Sequence, residues 1–500
     1  MVFSSSLFVF LFLPIVLAVY FLIRPGLRNA WLLAASLFFY AWGENVLLVL
    51  MLASIVSNWL FGLWIERARQ RGSTKHVIVW AAVTNLGLLV LFKYADWIWN
   101  SAGALLVAVG ALDAQPAQLG AVLPGDSVWR SVFLTDAGDI RLPIGISFFT
   151  FQAFSYVLDV NRGHAPVQRK LTDFALYVSL FPQLIAGPIV RYKDVAAQIV
   201  ERVVTREGFA DGIRRFVVGL AKKVLVANVC AKACDPIFAI PSEELTPALA
   251  WLGIVCYTLQ IYFDFSGYSD MAIGLGKMFG FKFLENFDFP YIARSITEFW
   301  RRWHISLSSW FRDYLYIPLG GNRGSRGRTY LNLLTVFVLC GLWHGASFSF
   351  LVWGLWHGAF LVIERAFLAR ALDRTPAILR HAYVLLAVML GWVFFRAETL
   401  GQAVDYLEAM FALSTGDARL QPFGMYWDAL LATAIAAGVV GSAPWMGAVL
   451  RWRDALERKE RAAAVLTLEV VGLLAICALF YLSAIELAGR SYNPFIYFRF

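Results

Sequence analysis

The stretch LNLLTVFVLCGLWHGASFSFLVWGLWHGAFLVI, from Leu331 to Ile363, decides the fold class of this chain. It contains no Asp, Glu, Lys or Arg, and it is longer than the roughly 20 apolar residues that a membrane-spanning helix needs. Its only titratable side chains apart from one cysteine are His344 and His357. A polar group at membrane depth is costly unless it is hydrogen-bonded, so an ionisable residue there is a functional candidate. The stretch therefore predicts histidine chemistry inside a bilayer.

The composition of the whole chain agrees with a membrane protein. Of 500 residues, 60% are hydrophobic and only 15% are charged, which is far too apolar for an ordinary soluble domain. Charge-poor stretches recur along the chain at 7–23, 29–52, 76–92, 246–263, 331–363, 382–395, 428–450 and 462–488. We predict an all-α polytopic membrane protein with roughly ten to twelve membrane helices, some of them kinked, re-entrant or interfacial. The chain is expected to form one membrane domain over residues 1–500, with the catalytic motifs at 285–363.

The first apolar stretch lacks the basic start and the small-residue cleavage site of a secretory signal, so we expect it to be retained as a helix. Arg24 and Arg28 follow this stretch, and a second basic group lies two spans later, before the stretch at 76–92: Arg67, Arg69, Arg71 and Lys75. Because cytoplasmic loops carry an excess of Lys and Arg, this pattern favours an amino terminus outside the cytoplasm.

The net charge of +9 is distributed in short segments beside apolar ones, which argues against nucleic acid as a partner. Arg214, Arg215, Lys222 and Lys223 form two basic pairs about two helical turns apart. They are interpreted either as one side of a helix lying along the cytoplasmic interface or as the ordinary basic flank of a membrane span. Both interpretations make membrane lipid a partner. Cys230 and Cys234 have no third or fourth ligand nearby in the sequence, so no metal site is predicted.

Three segments interrupt the apolar pattern. In the first, RLPIGISFFTFQ from Arg141 and LFPQLIAGPIVRY from Leu180, prolines and glycines predict kinked or re-entrant helices. Irregular backbone at membrane depth is tolerated where it is buried in protein or lines a wet cavity. A cavity wall and a simple helix kink both remain open here.

The second segment, TLQIYFDFSGYSDMAIGLGKMFGF, places Asp264, Tyr268 and Asp270 within an apolar helix. Its glycines do not complete a nucleotide-binding motif. The two carboxylates need partners, so they are either structural ion pairs or residues that line the path of an acceptor substrate, together with Tyr268.

The third segment, ENFDFPYIARSITEFWRRWHISLSSWFRDYLYIPLGGNRGSRGRTY, runs from Glu285 to Tyr330. Its alternating aromatic and charged residues are typical of helices in the headgroup region. Arginine groups here could hold the phosphates of a cytoplasmic donor such as coenzyme A, or they could contact anionic lipid. The candidate donor-binding residues are Arg301, Arg302, Arg312, Asn322 and Arg323.

These segments together resemble the membrane-bound O-acyltransferase (MBOAT) family. The similarity is carried by ENFDFPYIARSITEFWRRWHISLSSWFRDYLYIPLGGNRGS and GLWHGASFSFLVWGLWHG, and it extends to LPIGISFFTFQAFSYVLDV, LIAGPIVRYKD, YFDFSGYSDMAIGLG and the terminal PFIYFRF. Within the family the chain is most similar to the bacterial branch that O-acetylates exopolysaccharides such as alginate. It departs from the pattern only in the last motif, where FQF would be expected instead of FRF, and at 113–141.

The resemblance implies the MBOAT fold, with helices around a central tunnel. It implies transfer of an acetyl group from cytoplasmic acetyl-CoA, a donor substrate and not a permanently bound cofactor, to a hydroxyl acceptor in the periplasm. The chain would lie in the bacterial inner membrane and work with a periplasmic SGNH-type acetyltransferase and the polysaccharide machinery. The family's essential histidine corresponds to His344. Its second motif residue, often Asn in eukaryotic members but His in this branch, corresponds to His304.

The chemistry supports the same two residues. Burial favours a neutral imidazole, which suits a general base that deprotonates an alcohol, and we assign this role to His344. We expect His304 to orient the acyl carbonyl or to donate to the developing negative charge. His357 is interpreted as a packing or supporting residue, and the glycines at 341, 345, 354 and 358 have the small-xxx-small spacing of close helix contacts.

A function of a different class remains an alternative at this point. A transporter or flippase would also use broken helices, intramembrane aspartates and a central histidine. The chain shows no internal repeat of corresponding broken segments, which argues against transport. Within the enzyme class, D-alanyl transfer and lipid acylation are the other possibilities.

Overall fold

The computed structural model describes residues 1–122, 128–135, 138–413, 416–417, 419–489 and 493–495. Over these residues the protein is helical and contains no β-strand; one isolated antiparallel bridge joins Leu134 to Ile140. The predicted all-α class is confirmed.

The chain forms two compact units. The first unit comprises residue 1, residues 10–203 and residues 280–283, and the second comprises residues 2–9, 204–279 and 284–500. Each unit is therefore built from separated stretches of the chain. The expectation of one membrane domain stays a prediction.

Over its described residues, the first unit contains ten α-helices. They are α1 (Leu13–Leu22), α2 (Arg28–Glu44), α3 (Leu48–Gln70), α4 (Lys75–Leu89), α5 (Ala95–Ala108), α6 (Val128–Phe133), α7 (Ile146–Arg162), α8 (Leu171–Ser179), α9 (Phe181–Leu184) and α10 (Tyr192–Val200). Helices α3 and α4 are joined by Asn58 and Asn85, which are both buried. Each amide donates to the other's Oδ1, at 3.1 and 2.9 Å. Two amides satisfy each other in this way inside apolar surroundings, where water is not available.

The first interrupted segment lies in this unit and has irregular backbone, as predicted. Gly145 has φ +73°, a left-handed conformation that suits glycine, and α7 begins at the next residue. After the four-residue helix α9, the chain stays irregular as far as α10, and residues 181–192 are all buried. The irregular backbone thus lies within protein, which is the condition for tolerating it at membrane depth.

The second unit contains thirteen α-helices among the described residues. They are α11 (Arg206–Ala221), α12 (Asn228–Phe238), α13 (Pro247–Met278), α14 (Ile296–Arg302), α15 (Ile305–Phe311), α16 (Arg326–His344), α17 (Phe348–Ile363), α18 (Ala369–Asp373), α19 (Ala377–Arg396), α20 (Leu400–Met410), α21 (Ala429–Gly441), α22 (Met446–Arg458) and α23 (Ala462–Gly489). The longest, α13, is mostly buried and packs against α11, α12, α19 and α20. It is the central helix of this unit.

Six helical stretches of the described chain are long and apolar enough to cross a membrane, or seven if the bent pair α21 and α22 counts as one span. One of the six, Pro25–Gln70, has 46 residues and contains both α2 and α3. Since one crossing takes about 20 residues, this stretch has the length of two. A multi-pass membrane protein is thus supported, and the total of ten to twelve helices stays a prediction.

Candidate active site

His344 is the last residue of α16. The next residue, Gly345, has extended backbone, and α17 begins three residues later with Ser347 as its N-cap. The imidazole is buried, with 4% of the residue exposed. It makes edge contacts with Trp343, Trp353 and Phe395, at ring-centroid distances of 4.9, 5.0 and 5.1 Å. The histidine therefore stands at a helix end inside an aromatic enclosure.

The glycines predicted to pack closely do so at the crossing of α16 and α17. A Cβ atom on Gly341 would lie 3.3 Å from the Cα of Gly354, and one on Gly354 would lie 3.4 Å from the Cα of Gly341. Each added carbon would also collide with a backbone carbonyl of the facing helix. The close approach of the two backbones holds His344 and His357, one from each helix, in the same region of the unit.

His304 adopts the left-handed conformation, with φ 44° and ψ 54°, between α14 and α15. Asn and His are among the few non-glycine residues that are enriched there. The side chain is fully buried, with its ring 4.6 Å from that of Phe265. His304 lies outside the membrane-spanning helices, and burial lowers the pKa of its imidazole to about 3. The neutral form therefore dominates at physiological pH.

The hydrogen bonds around His304 fix which ring nitrogen carries the proton. Asn286 Oδ1 accepts from the backbone N–H of Ser306 at 3.2 Å and from its hydroxyl at 2.9 Å, while Asn286 Nδ2 donates to Ser269 Oγ at 3.1 Å. The atom facing His304 Nδ1, at 3.1 Å, is thus an acceptor, and Nδ1 must donate to it. Nε2 then carries the lone pair, and it has no hydrogen-bond partner in the described part of the chain.

Sequence reasoning did not identify Asn286 or Ser306. Asn286 lies in ENFDFP, 18 residues before His304, and Ser306 follows His304 by two positions. A polar residue within an aromatic segment is a signal for such a supporting residue, although the sequence does not say which side chain it supports.

One aromatic cluster connects the three buried histidines of this unit. The Trp343 ring lies 6.2 Å from His304 and 4.9 Å from His344, and the Trp353 ring lies 5.0 Å from His344 and 5.2 Å from His357. The structure therefore brings together His304 and His344, the two predicted catalytic residues. His357 accepts a long hydrogen bond of 3.4 Å from Trp300 Nε1, consistent with a supporting role.

The tryptophans of the third segment are buried within protein. Trp300, Trp303 and Trp310 are at most 8% exposed, and the position of this segment in the headgroup region stays a prediction. Their rings pack on other aromatic rings of the unit. Trp300 also packs on His357, at a ring-centroid distance of 5.1 Å. Alternating aromatic and charged residues here give the short helices one buried and one charged face, because protein and not lipid covers the aromatic side.

The charged face of α14 lines a cavity of about 720 Å³. Of the predicted donor-binding residues, Arg301 and Arg302 line it; Arg312 instead pairs with Asp313 at 2.7 Å. Asn322 accepts a short hydrogen bond from the Tyr316 hydroxyl, and like Arg323 it is exposed and is not part of this lining. The structure thus separates the five residues into two that share a cavity and three that do not.

Buried Glu364 holds the start of α14. Its carboxylate accepts from the backbone N–H groups of Ile296 and Thr297, at 2.5 and 2.9 Å, and from the Tyr383 hydroxyl at 3.1 Å. Because Trp300 and Arg301 are neighbours on this one short helix, fixing its start fixes both the cavity wall and the aromatic cluster.

The residues predicted for the acceptor path are mainly paired or stacked. Asp264 pairs with Lys223 at 2.7 Å, and both side chains are almost fully buried. Asp270 pairs with Arg215 at 2.9 Å and with Lys222 at 2.6 Å. Structural ion pairing, one of the two predicted alternatives, therefore occurs at both aspartates.

Tyr268 lies between two phenylalanines, with ring centroids 4.5 Å from Phe3 and 4.9 Å from Phe495. Asp270 also lines a cavity of about 510 Å³ that includes Asn286, the residue bound to His304. A role of Asp270 beside the site therefore stays open, and the role of all three residues as an acceptor path stays a prediction.

The same ion pairs involve three of the four basic residues noted in the sequence. Arg215, Lys222 and Lys223 pair with the aspartates of α13, and Lys223 is buried. Arg214 is exposed, and the side chains of Arg215 and Lys222 stay 23% and 24% exposed. A helix along the cytoplasmic interface and a basic flank of a span therefore both stay predictions.

Comparison with known proteins adds independent information. Residues 146–396, which include both predicted catalytic histidines, match the family model "MBOAT, membrane-bound O-acyltransferase family". The chain is 42% identical, over its full length and the full length of the relative, to the "Probable alginate O-acetylase" of Azotobacter vinelandii. It is 46% identical to the protein of the same name from Pseudomonas aeruginosa, over 83% of this chain and 76% of the relative. It is 35% identical to the "Peptidoglycan O-acetyltransferase" of Helicobacter pylori, over 83% of this chain and 80% of the relative.

Proposed function

The chain belongs to the membrane-bound O-acyltransferase family, and from this premise we propose that it transfers acetyl groups to hydroxyl groups of a polysaccharide. It is an acyltransferase by family. Relatives named for alginate and for peptidoglycan favour a polymeric sugar acceptor. The observation that carries the proposal is the pair His344 and His304, which contact the same Trp343 ring in a buried cluster.

His344 acts as the general base in this proposal. Its imidazole takes the proton of the acceptor hydroxyl while the hydroxyl oxygen attacks the thioester carbonyl. The tetrahedral intermediate then collapses, the carbon–sulfur bond breaks, and the proton on His344 passes to the leaving thiolate. General-base catalysis contributes about 10²- to 10⁴-fold. Burial of His344 among aromatic rings supports this role, because apolar surroundings favour the neutral imidazole that a general base needs.

The tautomer of His304 assigns it a more specific role than the sequence allowed. With Nδ1 donating to Asn286, neutral His304 presents an acceptor at Nε2 and cannot donate to an oxyanion. We therefore assign His304 to accept a hydrogen bond from a substrate group other than the attacking hydroxyl, whose single proton passes to His344, and so to orient the substrate toward the thioester. Of the two roles expected from the sequence, donation to the developing charge is disfavoured, since it requires a protonated ring.

The donor in this proposal is acetyl-CoA, bound from the cytoplasmic side. Four arginines line the cavity beside α14, and one of them, Arg302, already pairs with Asp288 and Glu298. Arg294, Arg301 and Arg380 have no ion-pair partner among the described residues, so they are the three guanidinium groups left to hold phosphates. Arg312, Asn322 and Arg323 would then contribute less to donor binding.

We also propose where the protein acts and with which partner. The protein would lie in the inner membrane, deliver acetyl groups through a tunnel to the periplasmic side, and work with a periplasmic SGNH-type acetyltransferase and the polysaccharide machinery. The apolar helices and the family support a membrane position. Co-purification of a periplasmic acetyltransferase with the tagged full chain would test the partner.

The decisive experiment supplies radiolabelled acetyl-CoA to the purified full-length protein and follows release of free coenzyme A. In parallel, wild-type protein or His344→Ala is expressed in a strain that lacks the gene, and acetate bound to the exopolysaccharide is measured. We expect thioester turnover by the wild-type protein, and no polymer acetylation with His344→Ala although the variant inserts and purifies normally.

Two results would overturn the proposal. Polymer acetylation at the wild-type level with His344→Ala would remove His344 from the reaction. Absence of any reaction with acetyl-CoA, combined with turnover of a D-alanyl carrier protein or of a long-chain acyl-CoA, would assign the chain to another activity of the same family.

A further inference from the structure

A third cavity, of about 680 Å³, lies within the first unit. It is formed where α1 ends and α2 begins, together with the start of α8 and the end of α10. Its charged lining residues are Arg28, Lys170, Asp173, Glu201 and Arg202. Three cations against two carboxylates make the lining net positive.

Two guanidinium groups in this cavity share one aromatic ring. The guanidinium carbons of Arg28 and Arg202 lie 4.9 and 5.9 Å from the centroid of the Tyr20 ring. Arg202 also lies over Phe281 at 4.3 Å and donates to Asn29 Oδ1 at 2.7 Å. The rings and the amide therefore hold two like charges close to each other.

This arrangement lacks a compensating anion at Arg28. Its Nε donates to the Tyr20 carbonyl at 3.1 Å, but in the described ranges no carboxylate lies within 4.0 Å of its guanidinium group. The pKa of Arg202 is lowered, first by burial and also by the nearby positive charge of Arg28, while Tyr20 and the Asp173 carboxylate act in the opposite direction. One carboxylate near Arg202 does not compensate two partly buried cations held on one ring, so a further anion at Arg28 would stabilise the pair. Two guanidinium forks suit a phosphate group.

The surroundings of the cavity indicate where the phosphate comes from. The apolar helix α1 ends just before the cavity, and the apolar stretch Pro25–Gln70 begins in its wall. Leu22, Val200 and Val203 are 84%, 78% and 76% exposed. Fully exposed aliphatic side chains beside a basic cavity at the end of a membrane helix match a headgroup site with acyl chains alongside it.

We propose that this cavity binds the phosphate headgroup of an anionic phospholipid, with Arg28 and Arg202 as the phosphate ligands and Lys170 at the rim. The exposed aliphatic side chains then lie against the acyl chains. The site is separate from the acyltransferase chemistry and does not depend on it.

The test uses the full-length protein purified in a neutral detergent and delipidated. Native mass spectrometry is used to titrate dioleoyl-phosphatidylglycerol against dioleoyl-phosphatidylcholine, and thermal unfolding is measured with each lipid and with inorganic phosphate. We expect the anionic lipid to bind at least tenfold tighter than the zwitterionic one and to raise the unfolding temperature. Arg28→Gln should weaken the anionic lipid about tenfold, and Arg28→Lys should weaken it less.

Arg71→Gln is the matched control, because Arg71 is an exposed arginine at the end of α3 and does not line the cavity. It should leave lipid affinity unchanged. Arg202→Gln should weaken lipid binding as Arg28→Gln does. Because Arg202 also packs on Phe281, Arg202→Gln could destabilise the protein, and the test then depends on Arg28→Gln. Unchanged phosphatidylglycerol affinity in Arg28→Gln would overturn the site. Equal stabilisation by inorganic phosphate, lost in Arg28→Gln, would overturn the lipid and leave a site for a free phosphate.

Discussion

The pentapeptide GLWHG occurs twice in this chain, at 341–345 and at 354–358, and the two copies occupy different positions in their helices. The first copy ends α16, so that the chain leaves the helix directly after His344. The second copy lies within α17, which continues as far as Ile363. His357 is fully buried between neighbouring aromatic rings and accepts a hydrogen bond from Trp300.

The two copies of GLWHG are alike in their glycine contacts and differ in the setting of their histidines. The first glycines of the two copies, Gly341 and Gly354, meet each other at the helix crossing and have the same role. The two histidines differ in setting, because the chain leaves the helix directly after His344, whereas α17 continues past His357. Identical residues therefore give the same glycine contacts but place their histidines differently, and the proposed function assigns catalysis to His344 alone.

The largest expected effect comes from replacing each histidine with alanine. His344→Ala should lower acetyl transfer by at least about 10³-fold, within the range of a lost general base. His357→Ala should lower it by less than about tenfold and should cost more stability than His344→Ala, because it opens a cavity in a fully buried cluster. Coenzyme A release and the thermal unfolding of both variants measure the two effects.

These two variants test directly whether His344 and His357 have different roles. Equal losses of activity in two well-folded variants would mean that both copies of the pentapeptide are catalytic. A stable, inactive His357→Ala beside an active His344→Ala would exchange their roles.

The next largest effect is expected at His304. Its ring packs near Trp343, which belongs to the first copy of the pentapeptide. Asn286→Leu removes the acceptor of His304 Nδ1 and should lower kcat about 10- to 100-fold with a smaller change in KM for acetyl-CoA, since the ring loses its fixed tautomer. His304→Asn should be folded, because Asn tolerates the left-handed backbone, yet it should lose activity to a similar extent.

Ser269→Ala provides the control for this prediction. It removes a partner of Asn286 on the side away from His304 and should have a much smaller effect on kcat. A wild-type kcat in Asn286→Leu would show that the tautomer of His304 is not important for turnover.

The sequence could predict the fold class and single out His344 as a candidate, because both follow from local properties, whereas its catalytic role rests on the family resemblance and stays a prediction. A long uncharged stretch specifies a membrane helix, and its histidine is conspicuous there. The sequence could also predict the glycine contacts, since their spacing places them on one face of each helix.

The rest of the site depends on contacts between distant residues. Asn286 is 18 residues from His304, and the partners of Lys222 and Lys223 lie on another helix, 48 and 41 positions away in the numbering. Composition showed that the aspartates need cations and that the lysines need anions, but it could not pair them. For the same reason it could not show that Lys223 and the tryptophans of the third segment are buried within protein. Which side of an amphipathic segment meets protein is decided by tertiary packing and not by periodicity.

A smaller effect, on stability, is expected at Gly341 and Gly354, where the two copies make the same contact. Gly341→Ala and Gly354→Ala should each destabilise the protein by about 1–3 kcal/mol, since each methyl group meets the backbone of the facing helix. Gly26→Ala, at a position with open space around it, should change stability much less. Unfolding temperatures in detergent measure all three. Clearly unequal losses at Gly341 and Gly354 would contradict the symmetry of the crossing.

The pH dependence of stability gives a smaller and more gradual effect. The pKa of His304 is about 3 in the folded protein and about 6.5 in an unfolded chain. Below pH 6.5 the unfolded state binds a proton that the folded state does not, so stability is lost as the pH falls from 6.5 toward 3. The loss from this residue is about 1 kcal/mol per pH unit. His304→Asn should flatten the fall in unfolding temperature between pH 6.5 and pH 5, and an unchanged slope would contradict a neutral buried His304.

The smallest expected effect tests the hydrogen bond that distinguishes the second copy. Trp300→Phe removes the N–H that donates to His357 Nδ1 but keeps an aromatic ring at that position. Because the bond is long, at 3.4 Å, its loss should cost about 1 kcal/mol or less, and acetyl transfer should stay within about twofold of wild type. Phe299→Leu, the neighbouring ring on the same helix, serves as a packing control, with a change in ring contact but no change in this hydrogen bond. If Trp300→Phe instead lowered kcat as strongly as Asn286→Leu while leaving the unfolding temperature unchanged, His357 would have to act in the reaction through its Nδ1, and the difference between the two copies would be one of degree.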